Sequence, residues 1–423
     1  MFVLNKIYKI LILPMRGKER LGIIMNKINK NNIKDWILSL QILLACVGAT
    51  TLVPLLVGFP PSTALFTAGL GTLLFGFITK NKVPAFLGSS FAFIAPMIAI
   101  TTQFGYEYSC GAFIIVGILY CLFAFLVYKV GINKITKWLP PHVTGTMIII
   151  IGLTLVPSAI TNMQVNMPIA IISLLTSLLV LKFAKGFTKQ LGIMIGLIVG
   201  YIVSVYFGLV DFSLLQNVDI ILLPSFVLPK FNFEAIMILA PVAIVTMLEH
   251  VGDIITLGTV TNKEYIKNPG LHRTLIADGL ATALAGLFGS VGNTTYGEST
   301  SVLALTKQSN PKITKNAAIL ALILSLVGIF STGLQTTPIF VIGGISLQLY
   351  CMIAWIGVKN IKDNESYRSI KNVIVIIVML VIGLGSLVGL NISLPLGIVT
   401  LSGLSLAGVV GILLNAILTK FFK

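Results

Sequence analysis

Charged side chains are scarce in this sequence. Asp, Glu, Lys and Arg make up 10% of the 423 residues, whereas 56% of the residues are hydrophobic and the mean hydropathy is +1.01. Soluble domains carry about 25% charged residues, and one soluble core could not bury this much apolar surface. The composition excludes an ordinary soluble protein and indicates a chain that is solvated mostly by lipid.

Cysteine is also rare. The chain has four cysteines, Cys46, Cys110, Cys121 and Cys351, scattered through apolar stretches with no paired spacing. This distribution argues against a disulfide framework and against a metal site, and we expect packed thiols. The sequence indicates neither a metal, a cofactor nor an enzyme.

Apolar stretches cover most of the chain, and most approach the ~20 residues that a helix needs to cross a bilayer. The sequence predicts fourteen such spans, at 36-57, 61-79, 84-101, 110-128, 139-157, 167-183, 190-208, 233-259, 271-289, 293-306, 316-334, 338-357, 372-390 and 395-419.

Acidic residues are few, 13 against 29 basic ones, which gives a net charge of +16. If the first span leaves the cytoplasm, every basic residue except Lys230 falls on the cytoplasmic side, as expected of membrane proteins. This topology explains the charge without a nucleic-acid partner. It predicts a multi-pass protein of the cytoplasmic membrane with both termini cytoplasmic. We expect residues 1–34 to form a cytoplasmic extension, whose true start could be Met25.

Two of the spans contain residues that disfavour regular helix. Span 3 includes Gly88 between hydroxyl and aromatic residues, and span 10 begins Asn293-Thr294-Thr295-Tyr296-Gly297-Glu298. Irregular backbone at membrane depth requires a protein or water-filled surrounding. Short, glycine-interrupted spans in corresponding positions of two halves indicate a transporter's binding site. Because the two spans are seven apart, we expect a 7+7 inverted repeat.

Three of the carboxylates within predicted spans point to a function: Glu249, Asp253 and Glu298. A carboxylate at bilayer depth costs at least about 2.5 kcal/mol, so it normally faces a protein interior, a cavity or a solute path. Glu249 and Asp253 are at i and i+4, on one helix face about 6 Å apart. Such a pair can bind and release a proton. Carboxylates with free backbone N–H groups suit a planar solute with N–H and C=O groups, such as a nucleobase.

Structural roles compete with this interpretation. Neighbouring cations could neutralise the acids, although no predicted span contains a Lys or Arg beside them. Gly252 could mark close helix packing, as could the stripe Gly192, Gly196 and Gly200. His250 points about 100° away from Glu249, which favours an ordinary hydrogen-bonded histidine over a ligand.

Four motifs together resemble the nucleobase-ascorbate transporter family, and within it the bacterial uracil permeases. The resemblance extends from about Gln41 to the last span. The motifs are Ser89-Ser90-Phe91-Ala92-Phe93, Glu249-His250-Val251-Gly252, Asn268-Pro269-Gly270-Leu271-His272-Arg273 and Asn293-Thr294-Thr295-Tyr296-Gly297-Glu298.

The resemblance implies an all-α membrane fold of fourteen segments, with short β-strands in discontinuous segments 3 and 10. It also implies a core domain (35–130 and 232–335) and a gate domain (131–231 and 336–423), and members of the family often form dimers through the gate. The substrate site implied by the resemblance consists of Glu249, Glu298, Phe91, Gly297, Ala49, Tyr296 and Tyr350.

The sequence departs from the family pattern at several positions. Ser299 and Ser301 stand where the signature has Asn and Gly, Asp253 stands where uracil permeases usually have His, and Ile42 stands where a His commonly follows Gln41. Asp253, Glu249 and Glu298 are therefore the candidates for proton coupling. The carboxyl pair could instead favour Na⁺.

The leading hypothesis is a symporter that imports uracil, or a closely related nucleobase, with protons. A xanthine or uric acid carrier is the alternative within transport. An inorganic anion would be repelled by the three acids. An intramembrane aspartyl protease is the alternative from another class, but it needs two Asp residues that share a water, and Asp278 is the only further intramembrane Asp.

Overall fold

The computed structural model describes residues 30–132, 140–216, 218–390, 392–396 and 399–421. Residues 1–29 of the predicted extension, including Met25, lie outside the described residues, and residues 30–34 already belong to the first helix. The helices and strands of residues 30–206 are α1 Lys30–Val57, α2 Pro61–Ile78, β1 Leu87–Ser89, α3 Ile94–Gln103, α4 Tyr106–Val130, α5 Pro141–Gln164, α6 Met167–Phe183, α7 Gly186–Gln190 and α8 Gly192–Tyr206.

The remaining part of the described chain continues in the same manner. Its elements are α9 Phe233–Thr261, α10 Leu271–Leu287, β2 Asn293–Thr295, α11 Gly297–Thr306, α12 Pro311–Ser325, α13 Gly328–Gln335, α14 Ile339–Asp363, α15 Ile370–Leu384, β3 Ser393–Leu396, β4 Val399–Ser402 and α16 Gly403–Phe421. Single 3₁₀ turns at Phe91–Phe93, Ser213–Leu215, Ser366–Arg368 and Gly385–Val388 connect some of them.

Membrane-spanning helices dominate the described chain. Eight of its helices are at least 18 residues long and apolar enough to cross a bilayer. Many large apolar side chains on their outer faces are exposed, as expected where lipid replaces water. The protein is therefore a multi-pass membrane protein built mainly of helices.

Local sequence explains where several helices begin and end. The Asn232 side chain accepts hydrogen bonds from the backbone N–H groups of Glu234 and Ala235, which caps α9. At the other end of α9, Asn262 adopts a left-handed conformation that stops the helix. Prolines in the first turns of α2 and α5 occupy positions whose N–H groups need no helical partner.

Two predicted spans differ from the observed elements. Residues 316-334 are divided between α12 and α13, because Val327 pairs with Ile221 in an isolated β-bridge. Residues 395-419 begin as the β3–β4 hairpin, and helix starts only at Gly403. Pro395 lacks a backbone N–H, and the β-branched Val399 and Thr400 favour extended chain. These two span predictions were wrong at those points.

The helices pack in two groups. In the first group α4 packs on α10 and α9, and α12 packs on α2 and α1. In the second group α5 packs on α14, α6 on α8, and α15 on α16. The predicted small-residue stripe lies in the second group. Gly196 is packed against Ser173 and Ser177 of α6 and Ile345 of α14, so the prediction that this stripe marks a helix contact is confirmed.

Lys230, the exception in the predicted charge topology, has an acidic partner. Its Nζ lies 3.0 Å from Oε1 of Glu107 in the first turn of α4, and its backbone N–H donates to the Glu107 carbonyl oxygen. The hydrogen bond to Glu107 raises the pKa of Lys230. The lysine therefore stays charged at neutral pH, and its charge is balanced locally.

Candidate functional site

Two three-residue strands meet inside the first helix group. β1 pairs with β2 in antiparallel register, with Leu87 opposite Thr295 and Ser89 opposite Asn293. Backbone bonds from Ser90 N to Gly292 O (3.0 Å) and from Tyr296 N to Phe86 O (3.0 Å) extend the ladder at both ends. α3 and α11, of ten residues each, follow the strands and are too short to cross a bilayer. Their N-termini start beside the strand pair.

Each residue of β2 is bonded to a different surrounding element. The Asn293 side-chain amide donates to the carbonyl oxygen of Thr67 in α2 (2.9 Å). The Thr294 hydroxyl donates to Asp278 Oδ2 of α10 (3.2 Å), and the Thr295 hydroxyl donates to Asp253 Oδ2 of α9 (2.9 Å). These bonds hold the strand in place although it has only one neighbouring strand.

Tight packing holds β1 on its other side. The backbone N–H of Leu87 donates to Thr72 Oγ1, and the Ser89 hydroxyl donates to the carbonyl oxygen of Thr50. A Cβ on Gly88 would lie 2.6 Å from Thr50 Oγ1 and 2.6 Å from the Tyr296 ring. Only glycine allows this approach without a shift of its neighbours.

The predicted acids lie on two helices that pack against each other, α9 and α11. Glu249 is exposed, and Asp253 and Glu298 are partly buried. Glu249 interacts electrostatically with Glu298, and α9 packs against α11. A Cβ built on Gly252 or on Gly297 would meet no atom within 4 Å. The carboxylates of α9 and the start of α11 thus lie within electrostatic reach of one another, and neither Gly252 nor Gly297 is packed against a neighbour.

Gly252 corrects one structural expectation. The sequence allowed it to mark close helix packing, but the residue is exposed and borders open space. The absence of a side chain at Gly252 leaves room beside Glu249 and Asp253.

A buried histidine–aspartate pair lies close to these acids. Nδ1 of His250 is 3.3 Å from Asp278 Oδ2 and 3.2 Å from Thr295 Oγ1, and both the imidazole and the carboxyl group are fully buried. His250 is thus hydrogen-bonded, as the sequence indicated. Among the described residues, neither His250 Nε2 nor Asp278 Oδ1 has a hydrogen-bond partner. Buried polar atoms without partners are uncommon and call for an explanation.

The other residues named by the family resemblance are distributed around the strands. Phe91 begins the 3₁₀ turn after β1 and packs against a cluster that includes Leu52 of α1 and Ile345 of α14. Ala49 is buried on α1, and Tyr296 directly precedes α11. These three residues therefore lie close to the strand pair.

Tyr350 lies on α14, in the second helix group, and is buried. Its hydroxyl lies near Ser346 of its own helix and Ser158 of α5. Among the described contacts, none links its hydroxyl to Glu249 or Glu298.

The two serines that depart from the family signature have clear partners. The Ser299 hydroxyl donates to the carbonyl oxygen of Tyr296 (2.7 Å) and accepts from the Phe86 N–H (3.4 Å). The exposed Ser301 donates to the Gly297 carbonyl oxygen (3.1 Å). Ser299 thus joins α11 to the residue before β1, and Ser301 adds a polar group to the exposed face of the same helix.

Sequence reasoning overlooked three polar residues of this region: Asp278, Thr294 and Thr295. Asp278 was weighed only as a protease residue, although an intramembrane carboxylate by itself marks a functional site. The two threonines were interpreted only as residues that favour extended chain. Their alternation along a strand, which sends neighbouring side chains to opposite faces, was the signal that could have identified partners on two helices.

A pocket of about 510 Å³ lies elsewhere, at the ends of the helices. Its lining consists of Asn81, Lys82, Lys263, Glu264, Tyr265, Lys267, Asn268 and Pro311. It contains none of the intramembrane acids, so we do not assign the substrate to it. Among the described residues, no group of three or more His, Cys, Asp or Glu side chains could hold a metal ion.

The sequence matches known proteins over most of its length. A profile of the Permease family matches residues 34–392. The probable uracil permease of Haemophilus influenzae is 39% identical over 403 residues, which are 93% of this chain and 96% of that protein. The uracil permease of Escherichia coli K12 is 38% identical over 393 residues, 90% of each chain, and that of Bacillus subtilis is 37% identical over 407 residues, 91% and 93% of the two chains.

Solved structures share the fold at low sequence identity. The transmembrane domain of the cyanobacterial bicarbonate transporter BicA superposes with a TM-score of 0.59 at 14% identity, covering 91% of this chain and 97% of that one. The murine anion transporter Slc26a9 in its inward-facing state gives a TM-score of 0.68 at 15% identity, with 92% and 68% covered. These likenesses concern the fold alone.

Proposed function

This chain belongs to the nucleobase-ascorbate transporter family of permeases, and we propose on that ground that it imports uracil, or a closely related nucleobase, across the cytoplasmic membrane by proton symport. The relatives named as uracil permeases, each over most of its length, support the substrate. Membership of a permease family makes the protein a transporter, not an enzyme. The observation that supports the site is the electrostatic interaction of Glu249 with Glu298, on two helices that pack against each other.

Uracil offers two ring N–H donors and two carbonyl acceptors in one plane. Glu249 accepts a hydrogen bond from one ring N–H, and Glu298 fixes the opposite edge of the base. The backbone N–H groups of Phe91 and Gly297, at the starts of two short helical segments, bind carbonyl oxygens, as helix N-termini favour negative partial charge. Ala49, Tyr296 and Tyr350 complete the lining.

In this proposal the substrate site opens to each side of the membrane in turn because a core domain rocks against a gate domain. The core comprises 35–130 and 232–335, and the gate comprises 131–231 and 336–423. The first and second halves of the sequence each contribute seven membrane segments, in opposite orientations. The packing of the helices in two groups supports this division. Tyr350, on the gate, reaches the base only when the two groups approach each other. Both termini are in the cytoplasm, and the gate is the expected face for a homodimer.

The coupling ion is the proton, with Asp253, Glu249 and Glu298 as the groups that take it up. Asp253 lies one helical turn after Glu249 and is bonded to Thr295 of the strand that leads to Gly297. Protonation of an acid in this cluster lessens the mutual repulsion of the carboxylates. Two alternatives are coupling to Na⁺ and transport of xanthine or uric acid. The experiment below distinguishes both from the proposed symport of uracil with protons.

Purified protein tests the substrate first. A binder of uracil is stabilised by mass action, so its melting temperature rises with uracil concentration. Uracil is expected to give the largest shift in a panel with thymine, xanthine, uric acid and hypoxanthine. In proteoliposomes, uptake of labelled uracil should increase with an inward proton gradient. Uptake that requires Na⁺ and ignores pH would refute proton symport, and a shift with xanthine alone would refute the substrate.

A further inference from the structure

A chain of polar contacts leads from Asp253 into the protein interior. Hydrogen bonds join Asp253 Oδ2 to Thr295 Oγ1 (2.9 Å) and Thr295 Oγ1 to His250 Nδ1 (3.2 Å), and an ion-pair contact of 3.3 Å joins His250 Nδ1 to Asp278 Oδ2. The chain connects α9, β2 and α10. Asp253 is partly accessible at one end, whereas His250 and Asp278 are fully buried at the other.

The buried end has unused capacity to hold a proton. Among the described residues, His250 Nε2 and Asp278 Oδ1 have no hydrogen-bond partner. When the neutral imidazole carries its hydrogen on Nε2, Nδ1 is the nitrogen that can accept a proton, and the carboxylate has further lone pairs. An imidazolium and a carboxylate side by side form a neutral pair, which a buried site tolerates far better than a single charge.

We propose that His250 and Asp278 form a second proton-binding site of this transporter, loaded from Asp253 through the hydroxyl of Thr295. This inference rests on the proposed function, because it specifies where the symported proton is held. It also assigns a role to Thr295, which transmits the proton and touches neither carboxylate of the base-binding pair in the described contacts.

The transfer conserves atoms and charge. The proton on the Asp253 carboxyl moves to Thr295 Oγ1 while the hydrogen of the Thr295 hydroxyl moves to His250 Nδ1. Asp253 becomes a carboxylate, Thr295 is again a neutral hydroxyl that donates to it, and the imidazole becomes an imidazolium. The new Nδ1–H faces Asp278 Oδ2. The reaction requires the neutral imidazole that carries its hydrogen on Nε2.

The surroundings favour a shared proton. Titratable groups that face the pair are all acids or a phenol, and the basic groups on the packed elements lie at helix ends or in loops. The groups that interact electrostatically with Asp278 or Asp253 are Glu249, Glu298 and Tyr120. The titratable groups at the ends of the packed elements include Lys129, His142, Tyr265, Lys267, His272, Arg273, Lys307 and Lys420. The ring of Phe75 in α2 covers the imidazole, with its centroid 6.3 Å away. No described lysine or arginine forms an ion pair with Asp278, so the imidazole is its cationic partner.

Strand β2 connects the proposed substrate site to the buried pair of His250 and Asp278. Thr295 is two residues before Gly297, whose N–H is proposed to hold the base, and His250 directly follows Glu249. A base that seats against Glu249 and Gly297 therefore acts on both elements that hold the hydrogen-bond chain. Proton binding and uracil binding are expected to favour each other, and by linkage the effect is reciprocal.

The first test measures uracil affinity of the purified protein against pH. If one proton binds with uracil, the Kd of the wild type rises by up to about tenfold per pH unit where the site titrates. His250→Gln and Asp278→Asn are expected to flatten this dependence while the Kd at acidic pH stays within about threefold of the wild-type value. A variant that keeps the wild-type slope would overturn the inference. A wild type that binds no uracil at any pH would instead refute the proposed function.

Two matched substitutions of Thr295 test whether the proton passes through its hydroxyl. They also keep the inference testable if the His250 or Asp278 variants do not fold. Thr295→Ser keeps the hydroxyl, whereas Thr295→Val keeps the shape without it. In proteoliposomes, Thr295→Val should lower uptake driven by a proton gradient by about tenfold or more, which is about 1.4 kcal/mol or more. Exchange of labelled for unlabelled uracil, which moves no net proton, should be retained. Thr295→Ser should behave as the wild type. Equal gradient-driven uptake by the two variants would overturn the path.

Discussion

The phenolic hydroxyl of Tyr296 donates a 2.7 Å hydrogen bond to the carbonyl oxygen of Ser89, across 207 residues of sequence. Tyr296 follows β2 and Ser89 ends β1, so this bond links the two strands outside their backbone ladder. It also fixes the entry of the chain into α11, which carries Glu298. The position of the carboxylate therefore depends on the Tyr296 hydroxyl, in addition to any contact that the tyrosine ring makes with the substrate.

Removal of that hydroxyl should weaken uracil binding. Tyr296→Phe leaves the buried Ser89 carbonyl oxygen without this donor, at a cost of about 1–3 kcal/mol, or roughly five- to a hundredfold in Kd if the cost falls on the bound state. Tyr367→Phe, at a residue that is 51% exposed, is the control. Equilibrium binding of labelled uracil measures the effect. Identical Kd values for the two variants would contradict the structural role of Tyr296.

An added methyl group at Gly88 should disrupt the strand pair. Its Cβ would lie 2.6 Å from both Thr50 Oγ1 and the Tyr296 ring, which requires one of them to move. Overpacking of this kind costs about 1–3 kcal/mol. Gly88→Ala is therefore expected to lower the melting temperature and to reduce uracil uptake. Gly333→Ala, whose Cβ would meet nothing within 4 Å, is the control and should leave both unchanged.

Alanine at Gly297 separates the substrate site from the fold. Its Cβ would enter open space, and alanine keeps the backbone N–H, so the melting temperature without ligand should stay the same or rise slightly. The methyl group would nevertheless occupy volume proposed for the base, and the uracil-induced stabilisation should be smaller. Gly252→Ala is expected to act similarly from the α9 side. A full uracil-induced shift in both variants would place the base elsewhere.

The two glutamates should be required for binding itself. Glu249→Gln and Glu298→Gln replace an acceptor-only carboxylate with an amide of the same shape, so each loses an acceptor and presents a donor to the ring N–H. Each change should reduce affinity by about 2 kcal/mol or more, close to thirtyfold, and remove the thermal shift at moderate uracil concentrations. Glu264→Gln, at a side chain 72% exposed, is the control. If neither variant lowers the shift, the site is not at these acids.

The predicted orientation can be tested by labelling. In a background without Cys46, Cys110, Cys121 and Cys351, we expect Lys230→Cys to react with an impermeant maleimide added outside intact cells. Lys263→Cys, on the opposite side in the predicted topology, should react only after the membrane is permeabilised. Reaction of Lys263→Cys in intact cells would reverse the topology.

Much of the site could be predicted from the sequence because burying an acid in a membrane is costly. That cost singled out Glu249, Asp253 and Glu298, and the glycine and hydroxyl content of spans 3 and 10 indicated irregular backbone. The pairing of His250 with Asp278 could not be derived in the same way, since it depends on how α9 and α10 pack. The spacing of apolar residues shows which face of a helix is buried, but it does not show which other helix packs against that face.

The boundaries of the helices were also only partly predictable from the sequence. Hydropathy treats Ser393–Leu396 and Gly403–Phe421 as parts of one apolar stretch, whereas the chain forms a hairpin before the helix. An apolar run does not reveal whether its backbone bonds are made locally or across strands. The bridge between Ile221 and Val327, which separates α12 from α13, likewise involves distant segments.

The separation of β1 and β2 along the chain also constrains biosynthesis. A ribosome completes β1 about 200 residues before it delivers the strand that pairs with it. During that interval the backbone groups of Leu87–Ser89 lack their native partner, and hydrocarbon supplies none. The nascent first half must therefore be sheltered by the insertion machinery or by water until the second half arrives. Insertion of this permease is in consequence completed only after both halves have been synthesised.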